Sequence, residues 1–215
     1  MPNPLHLVLG LSVPLMGHST IQSDGSSPDG NDAPKLETAN WLKAPSFSFG
    51  VNHNGSELLV DMSYERSSQI AGAESYLMRS SGAALRYRYG FEAAEGVRVG
   101  PGVGLSYVNL ASRAVLDEVS TESTGWEVGL AAEGSVAWEP TESPLAVLAW
   151  VRPLMSYGRA EGTSRGLVSP LAPVEHNSPY AWLRTGWAIG FEVHVKVPAV
   201  RSEGPGSEGP NPSAL

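Results

Sequence analysis

The stretch Trp126-Glu127-Val128-Gly129-Leu130-Ala131-Ala132-Glu133-Gly134-Ser135-Val136-Ala137-Trp138 decides how this chain is read. Trp126, Val128, Leu130, Ala132, Val136 and Trp138 share one side of an alternation. Glu127, Gly129, Ala131, Glu133, Ser135 and Ala137 share the other. A period of two is that of a β-strand with one apolar face. The two tryptophans at its ends set a length. At roughly 3.3 Å per residue and a tilt near 40°, they stand about 30 Å apart along a membrane normal. That is the height of a lipid-facing band with an aromatic side chain at each interface.

The same alternation recurs on both sides of this stretch. Leu7, Leu9, Leu11, Val13 and Leu15 form one apolar series, and Phe47, Phe49 and Val51 another. Leu58, Val60, Met62 and Tyr64 alternate with Leu59, Asp61, Ser63 and Glu65, and Leu85, Tyr87, Tyr89 and Phe91 with Ala84, Arg86, Arg88 and Gly90. Val97, Val99, Val103, Leu105 and Tyr107 stand against Arg98 and three glycines. Leu145, Val147, Ala149, Val151 and Met155 stand against Leu148, Trp150, Arg152 and Ser156. Leu183, Trp187, Ile189, Phe191, Val193 and Val195 stand against Arg184, Gly186, Ala188, Gly190, Glu192 and His194. The pattern predicts about eight strands, the first over about 5–16.

The connections alternate in length. Short turns are expected at His53–Ser56, where Asn54-Gly55 is a hairpin signal, at Glu92–Gly96 and at Glu139–Pro144. Longer polar loops are expected at 18–44, Arg66–Ser81, Ala111–Thr124 and Arg159–Pro179. This rhythm predicts an all-β, antiparallel, up-and-down transmembrane barrel over residues 1–197. The Gly-, Pro-, Ser- and Glu-rich residues 198–215 read as a disordered C-terminal tail.

Composition narrows the function classes. The formal net charge is −8 with no basic run, which argues against a nucleic-acid partner. With no cysteine, disulfides, thiol nucleophiles and Cys-based zinc sites are excluded. The five histidines are scattered, so no metal and no cofactor is expected. No apolar run reaches the roughly 18 residues of a membrane helix. Pro4–Met16 resembles a signal segment only in its apolar core, so no recognisable signal peptide is expected.

The polar faces decide between lipid and a soluble core. A face in water would be rich in Lys, Glu, Thr, Asn and Gln. Here it is Gly, Ala and Ser, with single charges of both signs: Asp61, Glu65, Glu127, Glu133 and Glu192 against Arg86, Arg88, Arg98, Arg152 and Arg184. Small residues suit the narrow interior of an eight-stranded barrel. Unpaired charge there is costly, so these ten residues are expected to pair across the lumen. Trp126, Trp138, Tyr64, Tyr107 and Phe91 are the expected membrane-interface aromatics.

The strand count, the turn-and-loop rhythm and the mixed-charge lumen resemble the small outer-membrane barrels of the OmpA/OmpX type. The resemblance implies a bacterial outer-membrane location, membrane lipid as the surroundings, a monomer, and a structural or surface-interaction role through long outer loops, with an extracellular or periplasmic protein as a further partner. Three features depart from it. The first strand doubles as the weak signal-segment candidate, and its removal leaves seven strands unless another segment, such as Leu36–Leu42, pairs. Phe191 is followed by further strand residues instead of ending the strand, and Pro14, Pro101 and Pro153 fall inside strands, where bulges or irregular ends are expected. Some such barrels modify lipids. His176 and Ser178, entering the last strand, resemble the catalytic pair of lipid A deacylases, although a polar loop end before Pro179 explains them with less. His18-Ser19-Thr20 reads as loop solvation, the Asp24–Asp32 run lacks a calcium loop's closing Glu, and Gly100–Gly104 opens no helix that would hold a phosphate. The alternatives to a plugged barrel are therefore a lipid-modifying enzyme and a soluble β-barrel or sandwich that binds an apolar ligand.

Overall fold

The computed structural model describes residues 5–23, 35–40, 45–71, 74–116, 119–140, 143–166 and 174–198, with side chains described except at 21, 23, 35–40, 67–76, 78, 114–121, 163–166 and 174–180. Among these residues the strands are β1 (His6–Ser23), β2 (Lys35–Asn40), β3 (Ser46–His53), β4 (Ser56–Ala71), β5 (Glu74–Tyr89), β6 (Phe91–Ala94), β7 (Val97–Leu116), β8 (Val119–Trp138), β9 (Leu145–Gly166) and β10 (Val174–Pro198). β3 pairs with the first half of β1 and β2 with its second half. β5 and β6 likewise share one flank of β7. The segments thus form eight staves, each antiparallel to the next. β10 pairs back onto β1 from Pro198 opposite His6 to Trp182 opposite Ser23, which closes the barrel. Closure pairs the first and last staves with each other, as backbone at membrane depth requires.

The tight turns follow local chemistry. Asn54 (φ 51°) and Gly55 (φ 80°) both lie in the left-handed region, as a two-residue type I′ hairpin requires. The Glu92–Gly96 turn is shorter than expected, because β6 continues the β5 stave to Ala94 before Gly96 (φ 69°) reverses the chain.

Each strand proline is accommodated on one side only. Pro14 pairs with Gly190 of β10, while on its other flank β3 stops at Ser12 and β2 begins at His18. A bulge follows, with Met16 facing Ile189, so Leu15 is the extra residue. The inward series then shifts from Ser12 and Pro14 to Gly17 and Ser19. Pro101 pairs with Gly134 of β8 but faces the break between β5 and β6, and Pro153 pairs with Trp187 of β10 but falls in a gap of the β8–β9 ladder. Each missing N–H points where no ladder bond is asked of it.

The expected long loops are largely strand. Arg66–Ala71 pairs with Glu74–Arg79, Ala111–Leu116 with Val119–Thr124, and Arg159–Gly166 with Val174–Ala181. β1 likewise runs to Ser23 and β2 returns at Lys35, so residues 18–23 and 35–40 are not loop. The connections shrink to 72–73, 117–118 and 167–173, which lie outside the described residues, as do 24–34 and the tail from 199. β10 is 25 residues long, more than twice the roughly 9–11 that cross a bilayer. Beyond the apolar band the apolar–polar contrast that announces a strand fades from the sequence, while the ladder pairing continues.

The surface is inverted relative to a water-soluble barrel. Large apolar side chains lie exposed around the whole wall, among them Leu9, Phe47, Met62, Leu85, Val103, Leu130, Leu145 and Leu183. Glu57, Asp61, Arg86, Arg88, Glu133, Glu192 and His194 are buried inside.

Candidate functional site

The inward positions of six strands converge on one cluster of charge. Arg88 of β5 spans the lumen. Its Nε donates to Glu133 Oε1 of β8 at 2.6 Å, Nη1 to Glu57 Oε2 of β4 at 3.0 Å, and Nη2 to Glu192 Oε2 of β10 at 2.9 Å. Arg86, two residues earlier on the same face, holds Asp61 with both Nε and Nη2, and its Nη1 lies 2.8 Å from Glu192 Oε1 and 3.2 Å from Glu133 Oε2. Arg152 of β9 donates from Nε to Glu133 Oε2 at 2.5 Å and from Nη2 to Glu192, with its guanidinium 3.9 Å from the centroid of Trp150. Neutral side chains of β3 complete the shell. Ser48 Oγ donates to Asp61 at 2.5 Å, and Asn52 Nδ2 to Glu57 at 2.8 Å.

The charges balance. Glu57, Asp61, Glu133 and Glu192 meet Arg86, Arg88, Arg152 and Lys196, the last 3.5 Å from Glu57. At the short-turn mouth Glu139 takes both Lys196 (2.6 Å) and Arg98 (3.5 Å). Toward the opposite end Glu127 accepts from Trp182 Nε1 at 3.0 Å and lies 3.3 Å from Arg184. A cavity of about 120 Å³ beside the cluster, bounded by Arg86, Glu133, Arg152 and Ser156, is smaller than the roughly 300–1,000 Å³ of small-molecule sites.

Glycines seat the inward aromatic rings. A Cβ on Gly158 would meet the Trp182 ring at 2.1 Å, one on Gly190 the Trp150 ring at 2.5 Å, and one on Gly10 the His194 ring at 2.6 Å. Each glycine lies in register with the ring it receives.

Nine of the ten charges expected in the lumen enter these three groups. Glu65 joins no ion pair among the described residues. Sequence reading missed Glu57, Glu139, Lys196, Ser48 and Asn52 as partners, and left His194, which contacts Glu192 at 3.0 Å, out of the network. Parity alone would have placed Glu57, two residues before Leu59 on the inward face, but it lies between the expected turn, which ends at Ser56, and an alternation read only from Leu58 onward. Among the interface aromatics, Tyr64, Phe91, Tyr107 and Trp138 are exposed on the outer wall. Trp126 is half-buried against Tyr157, with ring centroids 5.9 Å apart. His176 and Ser178 face Ser164 and Gly162 in the β9–β10 ladder, and their side chains lie outside the described residues.

A closed barrel with apolar residues outside and paired charge inside is a membrane-spanning β-barrel, since lipid takes the place water holds around a soluble one. The fold is similar to that of outer membrane protein AlkL, solved by solid-state NMR in DMPC bilayers, at a TM-score of 0.50 and 13% identity over 93% of this chain and 94% of that one. Neisserial surface protein A matches over 89% of this chain and 97% of its own, at 16% identity and a TM-score of 0.39. A major outer membrane protein from Thermus thermophilus matches over 85% of this chain and 100% of its own, at 10% identity and a TM-score of 0.47. No protein-family model matches the sequence, and no curated protein does.

Proposed function

We propose that this chain is a monomeric barrel of a bacterial outer membrane, closed to solutes by its central charge cluster, with a structural or surface-interaction role carried by the strand extensions beyond the membrane. The observation that carries the location is the inverted wall, apolar on all eight staves. Tight turns at one end and long hairpins at the other support the usual orientation, with the turns in the periplasm and the hairpins outside. Three guanidiniums shared among four carboxylates support closure. Each arm of the cluster joins different strands, so opening a path requires breaking several charge-assisted bonds together.

Two measurements test this. The full chain, folded in detergent, is expected to migrate differently on a denaturing gel before and after boiling, and extraction into detergent-free buffer refutes the membrane location. In planar bilayers the conductance is expected to stay near zero, and steady ion-conducting openings refute the plug.

A further inference from the structure

Toward the long-hairpin end, the apolar run of the outer wall gives way to arginine on four strands. The first outward charge beyond Tyr64 on β4 is Arg66, beyond Ala83 and Ser81 on β5 it is Arg79, beyond Tyr107 on β7 it is Arg113, and beyond Tyr157 on β9 it is Arg159. Two of these are neutralised nearby. Arg113 lies 3.5 Å from Glu122 and Arg159 lies 3.8 Å from Glu161. Arg66 and Arg79 have no carboxylate partner among the described residues, and they face each other directly in the β4–β5 ladder. Residues so opposed have Cβ atoms about 4.5–5.5 Å apart, and like charges there repel. On the other side of Arg79 the residue in register is Ala111, which offers no relief. With no carboxylate beside it among the described residues, this exposed arginine pair is open to an anion from outside the chain.

A second feature says which kind. Below Arg79 an apolar furrow of about 630 Å³ crosses the same wall, from Val60 of β4 past Ala83, Leu105, Leu130 and Met155 to Leu183 of β10. Ala83 is four residues from Arg79, about 13 Å along the strand. We propose that Arg66 and Arg79 clamp the phosphate of a phosphate-bearing lipid whose acyl chain lies in this groove. Guanidinium forks match phosphate oxygens in pairs, the anion cancels the repulsion between the arginines, and the groove accounts for a tail. The site rests on the membrane reading above, because it needs the wall to face lipid.

The test uses the full chain folded in neutral detergent, titrated with phosphatidic acid and followed by native mass spectrometry and by the heat-modifiability midpoint. Wild type is expected to retain phosphatidic acid about tenfold or more tightly than R66Q/R79Q, whereas R113Q/R159Q stays within about twofold of wild type. Without lipid, R66Q/R79Q is expected to unfold no earlier than wild type, since the repulsion is gone. R66K/R79K keeps both charges without the planar fork and is expected to bind more weakly than wild type. Dioleoylglycerol, which has the tails without the phosphate, is expected to bind wild type and R66Q/R79Q alike, and millimolar inorganic phosphate to leave the lipid in place. Equal phosphatidic acid binding by wild type and either double variant at 66 and 79 overturns the clamp. So does an equal loss in R113Q/R159Q, or displacement by inorganic phosphate. The membrane reading fails separately, by a wild-type chain that needs no detergent and shows no gel shift.

Discussion

Glu192→Gln is the most informative single change in the lumen. Glu192 is fully buried, and its two oxygens lie against Arg86, Arg88, Arg152 and His194. The amide keeps the size and removes one charge from a balanced set. A unit pair 4 Å apart is worth about 4 kcal/mol at an effective dielectric near 20, and Glu192 meets three guanidiniums. Most of that attraction offsets the desolvation of the buried ions, so the measured cost is smaller than the sum. Breaking a buried pair from one side costs about 3–5 kcal/mol, because the partner charge is left uncompensated. The variant is therefore expected to lose about that much stability when unfolded by guanidinium chloride in lipid vesicles, followed by tryptophan fluorescence. Arg88→Gln removes a charge of the other sign at the same height and is expected to cost a similar amount. Any current through the two leaky lumens differs in sign preference. The excess positive charge left by Glu192→Gln favours anions, and the excess negative charge left by Arg88→Gln favours cations. A Glu192→Gln barrel within about 1 kcal/mol of wild type, or the same ion preference in both variants, would refute the cluster as a balanced plug.

Three further changes test the fold. Leu130→Arg, on the exposed outer wall, is expected to cost about 2–4 kcal/mol in a bilayer; a loss under about 0.5 kcal/mol, as at an ordinary water-exposed site, argues against lipid there. Gly158→Ala drives a Cβ into the Trp182 ring and is expected to cost about 1–3 kcal/mol and to change the near-ultraviolet dichroism, because the ring must leave Glu127; an unchanged spectrum means that the ring does not lie on Gly158. Gly55→Ala combines a φ of 80° with a Cβ 2.4 Å from the Gly90 carbonyl, so a loss of about 1–3 kcal/mol is expected in the same denaturation assay, and a neutral result rules out the type I′ geometry.

The barrel was legible wherever the two sides of a strand meet different surroundings. From Trp126 to Trp138 one side meets lipid and the other a crowded lumen, and the parity read from the sequence is the parity of the structure. The same logic explains the misreading of 66–81, 111–124 and 159–179. No apolar series holds one side of the alternation there, although the ladder pairing continues. The seats of the Trp150 and Trp182 rings were hidden for another reason. A large ring fits inside a narrow barrel only opposite a glycine, and that Gly190 and Gly158 are those glycines follows from register, which parity does not contain.

Register also separates Glu57 from Glu65. Both lie on the inward face of β4, eight residues apart, and parity treats them alike. Along the strand they are about 26 Å apart, too far for both to reach the level of Arg88. The cluster forms where Arg88, Glu133 and Glu192 reach a common height, and strands as distant in sequence as β5 and β10 share that height only because the barrel closes. Their relative heights depend on turn lengths and on the extra residue Leu15, which offsets β1 against β10 by one position and turns the next inward series to Gly17 and Ser19. A charge on the inward face is therefore a necessary sign of membership in the cluster. Membership itself is decided by height, and removing Glu65 is expected to leave the lumen as closed as before.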